Sequence, residues 1–375
     1  MIIAKRDFKD TKQFLVKWKG YSKEFDTWEP EEALKGSEES ITAFNTFVKF
    51  YYNHHFASKR QNQVLKEIEH PLLDLDLANP TLFVIPENIQ KFMGILSKDE
   101  GPIITVINEI DDVGPPIDFD YINESVPMCE IPDKHYITGN LCKCKKACTI
   151  GKGGVCPCIK HNGGFIPYSD TGLLVLKPHM SIYECSSKCS CDDRCQFKVV
   201  QKGRKADVQI YKTEKKGWGV RALERIPKGS FICEYVGEII TTKEADKRAE
   251  KCEETGLNYL FNLDGEFGSV EETEYVIDGQ YKGNLSHFFN HSCDPTLKVH
   301  PVFIENKYIG LHRLAFFANK DIDPLEELSI DYTGGIDHNL KNQENNKKVK
   351  YDNSESNLKH KCHCGAANCK GYYFQ

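Results

Sequence analysis

At 375 residues the chain has room for two or three domains and ample length to bury a core. Its 55 acidic against 49 basic side chains give a formal charge of −6, which disfavours a dominant grip on nucleic acid and suits a basic partner better, because phosphate binding rests on clustered Lys and Arg. No apolar run approaches the roughly 18 residues of a membrane span. The start Met1-Ile2-Ile3-Ala4-Lys5-Arg6 is no secretory signal, so a soluble intracellular protein is expected.

In chain order, Phe14-Leu15-Val16-Lys17-Trp18 alternates like a strand, Lys19-Gly20 turns, and Asp26-Thr27-Trp28-Glu29-Pro30 closes the segment, with Trp28 expected in its core. Ser37 can cap a following helix in which Ile41, Phe44, Phe47, Val48 and Tyr51 fall at helical spacing. The runs Phe14 to Tyr21 and Asp26 to Pro30 resemble chromodomains, small barrels with a helix. In that family an aromatic cage holds methylated lysine by cation–π attraction, worth about 0.5 to 2 kcal/mol per contact. Trp18 and Tyr21 match two of its three walls. The third wall comes from a strand of which Met1-Ile2-Ile3 looks like the tail end, so an N-terminally incomplete domain over residues 1–55 is expected. The alternative is that Trp18 and Tyr21 simply pack the small barrel.

Residues 56–100 read as a linker with local structure: 59–69 continues a helical pattern, and Pro71, Pro80 and Pro86 break the rest into short pieces. Ile103-Ile104-Thr105-Val106-Ile107-Asn108 reads as a strand entering a cysteine-rich domain over 101–202, and Gly114-Pro115-Pro116 ends it. Cys142, Cys144, Cys148, Cys156, Cys158, Cys185, Cys189, Cys191 and Cys195 make C-x-C-x3-C-x7-C-x-C, a gap, then C-x3-C-x-C-x3-C. Nine is not a multiple of four. Zinc is almost always four-coordinate, so three ions need twelve thiolate bonds, which nine cysteines supply if three of them each bridge two metals. A disulfide framework fits poorly with an odd number of closely spaced cysteines and no secretory signal. Cys129 stands outside the spacing and reads as an ordinary thiol.

Beyond the cysteines, short β-rich runs alternate with Gly and Pro: 208–212, 219–222, 231–236, 238–241, 259–263 and 274–277. They predict a mostly β fold of small sheets with short helices, the clear helix being 243–252. Residues 253–278 hold eight carboxylates and no Lys or Arg, as either a solvated acidic face or the wall of a groove for a basic peptide. A polar spacer at 337–360 carries Lys341, Lys347, Lys348, Lys350 and Lys359 and has almost no apolar content, so mobility is expected. At 361–375, Cys362, Cys364 and Cys369 form C-x-C-x4-C, one ligand short of a tetrahedral site, and Cys293 is the candidate for the fourth. A tail reaching back that far is expected to close over an active site.

Four motifs occur in order: Lys216-Gly217-Trp218-Gly219-Val220, Tyr235-Val236-Gly237-Glu238, Phe289-Asn290-His291-Ser292-Cys293-Asp294-Pro295 and Glu327-Leu328-Ser329-Ile330-Asp331-Tyr332. Flanked by nine upstream cysteines and the C-terminal three, they resemble the suppressor-of-variegation class of histone H3 lysine-9 methyltransferases, with a SET catalytic domain at 203–336 between pre-SET and post-SET zinc sites. The resemblance implies transfer of methyl groups from S-adenosylmethionine (AdoMet) to lysine, three zinc ions in the pre-SET cluster and one in the post-SET site.

It also implies residue roles. AdoMet would lie against Lys216, Gly217, Trp218, Gly219, Asn290 and His291, with Tyr281, His287, Phe288 and Tyr372 also on the cofactor side. Tyr332 matches the catalytic tyrosine, with Tyr259, Tyr275 and His291 completing the site; a buried core role is the other reading of Tyr275. His287 stands where many SET domains have arginine, and Thr296 replaces an asparagine. Ile330 sits where Phe or Tyr sets the number of methyl groups added, and without a hydroxyl it predicts di- or trimethylation. The implied partners are the histone H3 tail, the nucleosome and heterochromatin proteins, in the nucleus on chromatin, with no membrane and no strong direct nucleic-acid site. A chromatin-binding protein with a degenerate SET domain and a methyltransferase for non-histone substrates are the competing classes.

Overall fold

The computed structural model describes residues 2–45, 83–133, 141–176, 180–263, 274–304, 308–332 and 359–374, apart from 9–10, 19–20, 22–24, 39, 43, 85–86, 103, 109, 112, 149, 152–153 and 256–258. The expected helical extension at 59–69, half of the acidic run at 253–278 and nearly all of the spacer at 337–360 lie outside the described residues. No helix among the described residues is long and apolar enough to cross a membrane. The chain divides into two compact units that do not follow sequence order: Met1–Ser97 with Ile103–Ile117 and Gln209–Lys212, and the remainder.

In the first unit, Ile2–Phe8 pairs antiparallel with Thr11–Val16, which pairs with Thr27–Pro30. Phe14 and Leu15 are fully buried, and Phe14 meets Phe44 edge-on at 6.1 Å. The described residues between 38 and 45 are helical, as the spacing of Ile41 and Phe44 predicts. Trp28 is half-buried rather than a core residue, because Thr27–Pro30 lies at the edge of its sheet. Within the stretch read as a linker, Glu87–Leu96 forms an α-helix that buries Ile89, Phe92 and Leu96. Their i, i+3, i+7 spacing gives one apolar stripe. The strand expected from Ile103 appears as Ile104–Ile107, all four residues buried.

The second unit is built from small sheets. Leu297–Phe303 and Arg313–Ala318 form a long antiparallel pair flanked by Phe231–Tyr235 and, in parallel, by Ile182–Tyr183. Tyr168, Ile182, Phe231, Val302, Ala315 and Phe317 make its core. A second sheet orders Leu260–Asn262, Tyr275–Asp278, Glu238–Thr241 and Val126–Pro127, with the helix Thr242–Thr255 leading out of Glu238–Thr241. The glycine of Tyr235-Val236-Gly237-Glu238 is required here, since a Cβ on Gly237 would lie 2.2 Å from the Asp278 carbonyl oxygen.

Glu184 ties the cysteine-rich segment to this core. Its side chain is buried and accepts hydrogen bonds from the Tyr168 hydroxyl (2.7 Å), the Val199 and Val200 amides (both 2.9 Å) and Gln201 Nε2 (2.9 Å). Glu184→Ala leaves several buried donors without an acceptor, each costing about 1 to 3 kcal/mol, so a stability loss of about 3 kcal/mol or more is expected in thermal unfolding of the zinc-loaded chain. A loss below about 1 kcal/mol would show that water replaces the carboxylate.

Candidate active site and metal centres

The candidate site is organised by a two-residue strand. Asn290–His291 runs parallel to Glu327–Ile330, with Asn290 opposite Ser329 and His291 opposite Ile330. On its other edge Glu327–Ile330 pairs antiparallel with Trp218–Ala222. Three motifs far apart in sequence thus lie side by side. The Ser292 amide donates to the Ile330 carbonyl at 2.8 Å and extends the pairing. Thr296, the residue in place of asparagine, locks it: its hydroxyl donates to the Glu327 carbonyl (3.0 Å) and accepts from the Ser329 amide (2.8 Å).

The Gly217-Trp218-Gly219 run is held by a tight turn in which the Thr213 amide and hydroxyl both donate to the Gly217 carbonyl, at 2.8 and 2.9 Å. Gly217 has φ +69°, a conformation that L side chains rarely adopt, and the space where its Cβ would stand is open, so a ligand can approach the backbone. Gly219 is required for the opposite reason: a Cβ would lie 2.8 Å from Asn290 Nδ2. That amide donates to the Trp218 carbonyl (3.2 Å) and to Glu327 (2.9 Å), and Lys216 pairs with the same Glu327 carboxylate. The open cradle beside a fixed Asn–Glu–Lys cluster fits AdoMet.

Tyr332 follows directly on the central strand. Its amide donates to His291 Nδ1 at 3.2 Å and its hydroxyl to the Phe289 carbonyl at 2.8 Å. Burial pushes the phenol well above its ordinary pKa, so it stays protonated. With Nδ1 accepting, the His291 ring proton sits on Nε2, 3.5 Å from Cys293 Sγ. The C-terminal hairpin, Lys359–Lys361 with Tyr372–Phe374, lays the Tyr373 ring 4.6 Å from His291 and 5.7 Å from Tyr332. Side chains alternate along a strand, so Tyr372 faces the other way and is exposed. The tail aromatic beside His291 and Tyr332 is Tyr373.

Tyr259 stacks on His287, rings 4.4 Å apart and nearly parallel, and its carbonyl accepts from the Tyr235 hydroxyl at 2.5 Å. Phe288, buried, meets His287 edge-on at 4.8 Å. His287 Nδ1 lies 2.8 Å from the Gly279 carbonyl, and burial pushes its pKa down to about 4. Tyr275 is buried in the second sheet, opposite Thr241, and Tyr281 is exposed, with its carbonyl accepting from the Asp120 amide.

Two cysteine groups have metal geometry. Cys293, Cys362, Cys364 and Cys369 place their sulfur atoms within 4.8 Å of one another. In the cysteine-rich segment the same holds for three overlapping quartets, in which Cys142, Cys148 and Cys185 each occur more than once, the arrangement bridging thiolates need. Zn–S bonds of about 2.3 Å put tetrahedral sulfurs about 3.8 Å apart. Sulfur separations here include 3.4 Å (Cys148–Cys185), 3.6 Å (Cys142–Cys148) and 3.9 Å (Cys185–Cys195 and Cys293–Cys362). Both groups suit zinc.

Comparison with known proteins agrees with this arrangement. Family models match a Chromo domain at residues 1–46, a Pre-SET motif at 96–198 and a SET domain at 217–333. The zebrafish histone-lysine N-methyltransferase SUV39H1-A is 36% identical over 377 residues, spanning 96% of this chain and 86% of its own. The chain belongs to the SUV39 family of histone-lysine N-methyltransferases. It is an AdoMet-dependent enzyme with pre-SET and post-SET zinc sites. The fission yeast "Histone-lysine N-methyltransferase, H3 lysine-9 specific" is 37% identical over 293 residues, covering 77% of this chain and 58% of that one. Among solved structures, Arabidopsis SUVH6 in complex with SAM aligns at TM-score 0.61 and 35% identity, over 74% of this chain and 55% of that one. KRYPTONITE in complex with mCHH DNA, H3(1-15) peptide and SAH aligns at TM-score 0.58 and 30% identity, over 78% and 56%.

In the chromodomain, Trp18 and Tyr21 are both exposed, and Trp18 Nε1 donates to Thr27 Oγ1 at 3.0 Å. Tyr21 meets exposed Phe25 edge-on at 5.7 Å, a further aromatic at this surface that the sequence reading did not single out.

Two outcomes are expected from the site. Metal analysis of the intact chain should find four zinc ions per chain and Cys364→Ser three, with weakened AdoMet binding and a folded core; loss of all zinc in that variant would show that the two centres are not independent. For His287 the folded pKa of about 4 lies below the ordinary 6.5. The unfolded chain then takes up a proton first as pH falls through this window, and stability is lost. Melting temperatures of His287→Phe should therefore fall less than those of the parent between pH 6.5 and 4, and parallel falls would contradict a neutral buried imidazole.

Proposed function

We propose that the chain methylates lysine 9 of histone H3 to the di- or trimethyl state. The observation that carries the reading is the parallel pairing of Asn290–His291 with Glu327–Ile330, which unites the open Gly217 backbone, the Tyr332 hydroxyl on the Phe289 carbonyl and the cysteine-bearing tail. Bound AdoMet supplies an electrophilic methyl on a sulfonium. The chain's work is to position a lysine in line with it and to exclude water. Gly217, Trp218, Gly219, Asn290 and His291 would hold the cofactor, with Lys216 fixed by Glu327 at the rim. His287, Phe288 and Tyr259 would wall the site.

A free lysine has a pKa of about 10.4 and must lose its proton before it attacks. Desolvation among the rings of Tyr332, Tyr259 and Tyr373 favours the neutral amine. The Tyr332 hydroxyl, which donates to the Phe289 carbonyl, would orient the attacking nitrogen through its oxygen lone pairs. Ile330 is buried and carries no hydroxyl, which supports repeated transfer. Nucleosomes and heterochromatin proteins would be the partners, in the nucleus, with Trp18 and Tyr21 receiving methylated lysine at the chromodomain surface.

The test is methyl transfer from labelled AdoMet to a panel of H3 tail peptides, with product state read by mass spectrometry. Tyr332→Phe should lower the rate on the lysine-9 peptide at least about a hundredfold, the scale on which loss of one preorganised polar group acts. Accumulation of monomethyl-lysine alone would overturn the product assignment, and activity only on other peptides would overturn the substrate.

A further inference from the structure

The net charge of the whole chain conceals a local reversal. Residues 141–202 carry ten Lys and Arg against four Asp and Glu, in a chain of formal charge −6. The few acids are occupied. Glu184 is buried and turned inward, Asp192 pairs with Arg194 at 2.6 Å, Asp193 lies 3.8 Å from Lys198, and Asp170 accepts from Gln196. Lys143, Lys145, Lys146, Lys160 and Lys188 are left exposed, without an acidic partner among the described residues.

These five lysines share an anchor. Each stands within two residues of a cysteine of the pre-SET cluster. The Cys142 carbonyl accepts the Ser190 amide at 3.1 Å and the Lys146 carbonyl accepts the Asp192 amide at 2.8 Å, so segments 142–146 and 188–192 run side by side. Lys160 follows Cys158, whose sulfur lies within 4.8 Å of those of Cys142, Cys185 and Cys189. Nine thiolates with three Zn²⁺ carry a net charge of about −3, fewer charges than the exposed lysines supply. Neither segment offers an aromatic on which single-stranded bases could stack, and flexible ammonium stems over a rigid base suit a duplex backbone.

We propose that Lys143, Lys145, Lys146, Lys160 and Lys188 form a docking surface for the phosphate backbone of duplex DNA. A histone substrate comes wrapped in such DNA, so the surface would hold the enzyme on the nucleosome; that last step rests on the methyltransferase reading, whereas DNA binding itself does not.

The test uses the full zinc-loaded chain, with fluorescence anisotropy on a labelled DNA duplex of arbitrary sequence across a salt series. The quadruple variant Lys143→Ala, Lys145→Ala, Lys146→Ala, Lys188→Ala should bind at least about tenfold more weakly, and its salt slope should fall by about 0.9 for each lysine that touches a phosphate. The matching Lys→Arg variant should bind like the parent, as should Lys247→Ala, a control on the helix Thr242–Thr255. Methylation of an H3 tail peptide should stay unchanged while that of nucleosomes falls. Unaltered duplex affinity, an equal loss in the Lys247 control, zinc loss from the quadruple variant, or tighter binding to single-stranded RNA than to duplex would each overturn the proposal. Absence of peptide methylation by every form would sink the enzyme reading and leave the duplex measurement to decide the surface.

Discussion

Two residues of backbone, Asn290 and His291, hydrogen-bond in parallel to Ser329 and Ile330, and the chemistry of this protein depends on that register. A parallel pair cannot be closed by a tight turn, so the intervening chain must leave and return, and the long pair Leu297–Phe303 with Arg313–Ala318 lies within that excursion. Slipping the register by one residue would turn His291 away from Tyr332 and break the hydrogen bond between the Tyr332 amide and His291 Nδ1. The Thr296 hydroxyl, bonded to both Glu327 and Ser329, resists that slip.

The candidate metal site and the candidate active site adjoin. Cys293 lies two residues beyond His291, and its sulfur is close both to the His291 ring and to Cys362 of the tail. Zinc held by Cys293, Cys362, Cys364 and Cys369 would tie the Asn–His strand to the tail that carries Tyr373, so metal affinity and site assembly would share a free energy. The pre-SET cluster works differently. Its cysteines replace a hydrophobic core for a segment of small loops, and Glu184 transmits that order to the sheet beneath through buried hydrogen bonds.

Much of this was legible in the chain. Cysteine spacing follows from ligand geometry, which is local and indifferent to the surrounding fold, so the ligand groups could be proposed from arithmetic. Short β-rich runs between Gly and Pro mark Val208–Lys212 and Glu238–Thr241 at their observed limits. Other elements were hidden by conflicting local cues. Leu297–Phe303 contains Pro301, which argues against a strand interior, yet it pairs along its length with Arg313–Ala318. Glu87–Leu96 comes after a run of prolines and sits where a linker was expected, although Ile89, Phe92 and Leu96 carry a helical stripe. Tyr372 and Tyr373 are adjacent and alike, and only the strand's alternation sets the Tyr373 ring beside His291 and leaves Tyr372 exposed.

By itself, the sequence determined the ingredients: a chromodomain-like start, nine clustered cysteines, the glycine and Asn-His motifs, Tyr332 and a cysteine tail. Each is readable because its chemistry is written in residue type and short spacing. The tertiary structure alone decided which distant ingredients touch. Lys216 and Glu327, Asn290 and Glu327, Tyr332 and Phe289, His291 and Tyr373 are joined by a parallel register and a returning tail, and long-range pairing of that kind depends on packing that no local pattern records.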